Sequence, residues 1–144
     1  MAYATLQDLI DRFGEAELTY HTDKADPPAG EPDQVLVARA LADAEAIVDR
    51  HLAGRYALPL SAVDPSLTKI ACDLARYFIQ GDAVEKDGVV DRNHRAALQA
   101  LRDIADGRTR LQLAGVEPAV AAGGPKATGA ARVFSACGLK DFLG

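Results

Sequence analysis

The sequence predicts an all-α protein, a compact bundle of about four main helices followed by an extended C-terminal arm. Three observations point there. Apolar residues recur at three- and four-residue spacing in stretches bracketed by N-cap residues and glycine stops. With 144 residues, 49% hydrophobic and 26% charged, the chain has the composition of one water-soluble globular domain. After residue 113 that composition gives way to alanine, glycine and proline.

The first helix is expected over about residues 6 to 13. Thr5 precedes Leu6, Leu9 and Ile10, and Asp8 follows three residues later, close to a capping box. Gly14 ends it, and Ala16 to Tyr20 add one further turn. Pro27, Pro28 and Pro32 then forbid a helix. Asp33 is a good N-cap for the longest helix, Gln34 to Leu52, whose Val37, Leu41, Ala44, Val48 and Leu52 share one face. Arg39, Asp43, Glu45, Asp49 and Arg50 share the other. Gly54 is suited to a left-handed stop, and Arg55-Tyr56-Ala57-Leu58-Pro59-Leu60 reads as a stiff apolar strut held extended around its proline. Asp64-Pro65 starts a buried helix with Leu67, Ile70, Ala71, Leu74, Tyr77 and Phe78, ending near Gly81. Residues 82 to 90 read as a loop. A last helix from about Asp91 to Asp106 carries Ala97, Leu98, Leu101, Ile104 and Ala105, with Gly107 to stop it, and Leu111 and Leu113 suggest a short extended piece.

The domain is therefore placed at residues 1–113. Residues 114–132, with seven Ala, four Gly and two Pro, have no period and read as a flexible linker. Its random-chain span is roughly 25 Å and its taut reach about 65 Å. Residues 133–144 form an apolar tip, with Val133, Phe134, Leu139, Phe142 and Leu143. Ordering this arm without contacts would cost tens of kcal/mol, so it is expected to gain order only on assembly.

Sixteen Lys+Arg against 21 Asp+Glu give a formal charge of −5, the wrong sign for a protein that neutralises phosphates. Two cysteines, Cys72 on an apolar helical face and Cys137 in the tip, make no disulfide framework. The opening residues lack the basic and apolar segments of a signal peptide and no stretch is long enough to span a membrane, so a cytoplasmic location is expected.

Chemistry is sparse. His21, His51 and His94 are scattered, so neither a metal site nor a cofactor is expected. Asp8/Asp11/Glu15 and Glu45/Asp49 stand at helical spacing and read as solvated charge, not as an acid–base pair. Gly123-Gly124-Pro125-Lys126 echoes a phosphate loop, but Pro125 removes an amide where one is needed, so it reads as linker. Cys72 reads as an inert core thiol. Arg55-Tyr56 and Arg76-Tyr77 are basic-aromatic pairs isolated in an acidic chain, with Asp73 in range to pair Arg76. No catalytic residue is assigned.

Several blocks in order resemble the Mu-like prophage neck protein family, which joins phage heads to tails. They are Tyr3 to Gly14, His51-Leu-Ala-Gly-Arg-Tyr-Ala-Leu-Pro-Leu60, Ala71 to Tyr77, Leu101 to Gly107, and the ending Arg132-Val-Phe-Ser with Leu139-Lys-Asp-Phe. Where that family carries charge after the Phe-Ser pair, this chain has Ala136-Cys137-Gly138. The resemblance implies an all-helical, non-enzymatic adaptor in the virion neck, assembled in the host cytoplasm as a ring of about twelve copies beneath the portal. The implied partners are further copies of itself, the portal protein and a downstream neck or tail-completion protein, with DNA passing through the lumen. Arg55, Tyr56, Leu58, Pro59 and Leu60, with Val133, Phe134, Leu139, Phe142 and Leu143, are the expected partner contacts. An acidic lumen would let DNA slide where a basic one would grip it. Two other readings are a small DNA-binding regulator, with a helix-turn-helix from Asp64 onward, and a small-molecule enzyme or binding protein. Ring formation separates the first reading from these, and a steep salt dependence of DNA binding would favour the regulator.

Overall fold

The computed structural model describes residues 2–112. The linker 114–132, the tip residues Val133, Phe134, Leu139, Phe142 and Leu143, and Leu113, Pro125 and Cys137 lie outside the described residues. Within them the chain forms five α-helices and no strand: α1 (Leu6–Phe13), α2 (Glu15–Thr22), α3 (Gln34–Leu52), α4 (Pro65–Gln80) and α5 (Val89–Ala105), with a short 3-10 turn at Gly81–Ala83.

The starts follow their caps. Thr5 Oγ1 accepts from the Asp8 amide at 3.2 Å while the Thr5 amide donates to Asp8 Oδ2 at 2.8 Å, the reciprocal capping box. These bonds hold the Asp8 carboxyl below its ordinary pKa, the Thr5 side chain contributing most. Asp33 accepts from the amides of Val35 and Leu36, and Asp64 from that of Ser66, with Pro65 at the first helical position.

The hairpin of α3 and α4 is the spine; α5 packs against both helices, and α1 and α2 pack on α4. Val37, Ala44, Val48 and Leu52 are buried from α3, Leu67, Ile70, Ala71, Cys72 and Leu74 from α4, and Ala97, Leu101 and Ile104 from α5. Leu41, Tyr77, Phe78, Leu98 and Ala105 are half-buried at the margins.

Four expectations need correction. The single turn after Gly14 is a full helix, α2, because Leu18 and Thr22 are buried and the Thr22 hydroxyl links Leu18 O to the Asp33 amide. The last helix begins at Val89, where Gly88 supplies the extended N-cap. Gly54 is not among the glycines with positive φ; past Leu52 the chain closes in a turn in which the amides of Arg55 and Tyr56 share Leu52 O, at 2.9 and 2.8 Å. The strut is accordingly bent, with Leu58–Pro59 cis.

Candidate interaction surface at the root of the arm

The strut and the chain leaving α5 meet at one end of the bundle. Tyr56 is 3% exposed, and its hydroxyl accepts from the Leu111 amide at 3.2 Å. One residue on, the Gln112 amide donates to Asp64 Oδ2 at 3.0 Å. Asp64 therefore caps α4 and fastens the arm together. Its carboxyl is held below the usual range, chiefly by the Ser66 side chain and further by the amides of Ser66 and Gln112, which together outweigh the opposing effect of burial.

Arg55 lies across Gly107. A side-chain carbon at Gly107 would stand 2.6 Å from Arg55 Cζ and 2.8 Å from Nη2, and Gly107 has φ +78°, so glycine suits the site on both counts. Arg55 Nε is buried and has no hydrogen-bond partner among the described residues.

The expected contact residues of the strut thus divide. Tyr56 and Leu60, each 3% exposed, belong to the core. Pro59 is exposed, whereas Arg55 is half-buried across Gly107 and Leu58 is half-buried against the core margin. The other five expected contacts lie outside the described residues. Sequence reading missed Asp64 and Gly107 as parts of this junction; both were visible only as a cap and a stop.

Elsewhere polar groups serve the fold. Arg76 does not pair with Asp73: its Nε and Nη2 donate to Glu17 at 2.6 and 2.8 Å, Gln80 joins the same carboxylate at 2.9 Å, and the guanidinium stands 4.4 Å from the Phe13 ring centroid. Asp73 takes Lys69 instead, one helical turn away, at 2.7 Å. Of the carboxylates weighed for acid–base work, Asp8 caps α1, Asp11 accepts from Gln7, and Asp49 accepts from the Tyr3 hydroxyl at 2.5 Å. Burial first, then that bond, pushes the Tyr3 hydroxyl well above its ordinary pKa. Burial likewise raises the Cys72 thiol to about 11, leaving the unreactive protonated form at neutral pH.

His51 Nδ1 bonds Ile47 O, and His94 stacks on Tyr77 at 3.8 Å between centroids. Among the described residues no three His, Cys, Asp or Glu side chains gather as a metal site would need, and no helix is long and apolar enough to cross a membrane. A helix-turn-helix needs a turn of three or four residues, whereas residues 81–88 separate α4 from α5 and residues 53–64 separate α3 from α4.

The structure therefore defines a small all-helical packing unit with a fastened exit for its C-terminal arm. The profile of the family described as Bacteriophage Mu, Gp36 matches residues 3–128. The chain belongs to that phage protein family. It is 34% identical over 109 residues to "Gene product J" of Escherichia phage Mu, covering 76% of this chain and 75% of the relative. It is also 34% identical over 90 residues to "Mu-like prophage FluMu protein gp36" of Haemophilus influenzae, 60% of each chain. The family match ends before the apolar tip.

Proposed function

We propose that this chain is a structural subunit of a phage neck. Copies close into a ring of about twelve beneath the portal and help join the DNA-filled capsid to the tail. The observation that carries the reading is membership in the Mu Gp36 family across most of the chain, which supports a structural or assembly role in a phage. The geometry supports it in kind. Asp8, Asp11 and Asp49, weighed for catalysis, are each engaged in a hydrogen bond that serves the fold, and residues 111 and 112 are fastened to Tyr56 and Asp64 at one end of the bundle.

In this reading the strut surface and the tip residues Val133, Phe134, Leu139, Phe142 and Leu143 contact a neighbouring copy, the portal, or the next neck or tail-completion protein. Assembly takes place in the bacterial cytoplasm, and the finished ring sits in the virion neck. The acidic balance, 21 Asp+Glu against 16 Lys+Arg, suits a lumen that repels phosphate and lets DNA pass.

Deleting residues 133–144 tests the reading. Circular dichroism of the truncated chain should keep its helical signal, while complementation of a phage lacking the protein should yield separate heads and tails. Complete virions made with the truncated chain would defeat it.

A further inference from the structure

A cleft of about 210 Å³ opens between the N-terminal segment and α3, lined chiefly by Tyr3, Ala38, Leu41, Ala42, Glu45 and Ala71. Its alanines leave a hollow where larger side chains would have closed the surface, and Leu41 is only half-buried beside it. We propose that in the free subunit this cleft holds the apolar C-terminal segment of the same chain, residues 133–144.

Three facts select that occupant. The first is chemistry: Leu139, Phe142 and Leu143 follow at spacings of three and one, two large side chains and an aromatic ring with Lys140 among them. Burying such groups against alanine and leucine removes apolar surface from water on both partners. The second is reach. The arm is fastened at Tyr56 and Asp64, near the C-terminal end of α3. Glu45 and Ala38 lie roughly 10 and 21 Å back along α3 from Leu52 at the helical rise per residue. Residues 113–132 span about 25 Å as a random chain, so the tether holds the tip at this distance and raises its local concentration. The third is charge. Residues 2–112 hold 13 Lys+Arg against 19 Asp+Glu, whereas residues 113–144 hold three against two. A slightly basic arm is drawn to an acidic domain, and Glu45 lines the cleft that Lys140 would approach.

The inference concerns the isolated chain, so it stands or falls apart from the neck reading. It replaces the expectation that the arm gains order only on assembly. The tip finds its contacts within the subunit, shelters there, and passes to another protein by exchange.

The full-length chain supplies a probe, because Cys137 lies within the segment and the other cysteine, Cys72, is buried. In dilute solution with oxidised glutathione, Ala42→Cys is expected to form an intramolecular disulfide with Cys137 about tenfold faster than Gln99→Cys, an exposed site on α5 within the same tether's reach. Ala38→Cys should repeat the result should Ala42→Cys disturb α3. Adding Phe134→Ala and Phe142→Ala should bring the rate down to that of the Gln99→Cys control. Equal rates at the cleft and on α5 would overturn the proposal. So would disulfides found only between isotopically heavy and light copies, or a rate indifferent to loss of both phenylalanines.

Discussion

Gly107 carries two demands at once. Its φ of +78° lies where a side chain is strained, and the guanidinium of Arg55 occupies the space that side chain would take. Arg55 can move aside, but the backbone strain remains, so Gly107→Ala is expected to lower stability by about 1–2 kcal/mol, read as a shift in urea midpoint at unchanged m-value. His94 makes a second residue-level prediction. Burial against Tyr77 and Phe78 lowers its pKa, with Asp91 opposing, so the neutral ring is favoured in the fold. A depressed histidine contributes stability above its unfolded value of about 6.5, and that contribution is lost as pH falls through its folded value. Stability should therefore decline below about pH 6.5, before the capping carboxylates Asp8 and Asp64 protonate, and His94→Phe should remove that early part of the decline. An unchanged acid limb in the variant would contradict the assignment.

Among the elements, α2 depends most on a distant partner. Glu17 reaches Arg76 and Gln80, residues 59 and 63 positions later in the chain. The side chains of Glu17 and Arg76 are mostly enclosed, and hydrogen bonds to charged groups of this kind contribute roughly 1.5–3 kcal/mol. Arg76→Ala should thus accelerate hydrogen exchange in Glu15–Thr22 while amides of α3 and α4 stay protected; uniform acceleration throughout would show that α2 is no separate unit. This tie also marks the limit of what was legible in the sequence. Thr5, Asp33 and Asp64 act on amides two or three residues away, so the starts of α1, α3 and α4 could be read locally, as could the buried face of α3. The pairing of Arg76 could not: Asp73 was the nearer carboxylate, but it lies buried beside Lys69, and the true partner stands on another helix. The end of α3 at Leu52 was legible, but the path after it was not: Gly54 is not left-handed and Tyr56 folds back onto the core through contacts the local pattern does not encode. The junction of Tyr56, Asp64, Arg55 and Gly107 was half legible, as separate residues with local roles.

For the molecule as a whole, one core spans all five helices, so a charge placed at its centre should unfold everything. Leu74 is fully enclosed, and Leu74→Asp is expected to abolish the cooperative unfolding transition by burying an unpaired carboxylate. The described unit is small and acidic, and residues 111 and 112 are fastened to it, which suits the proposed role as a repeated part. The most direct test of that claim is the mass and shape of the full-length protein, measured by light scattering over a concentration series and by electron microscopy, alone and with its portal. The neck reading predicts closed rings of uniform diameter that seat on the portal. A protein that remains a monomer at every concentration and leaves the portal bare would contradict it.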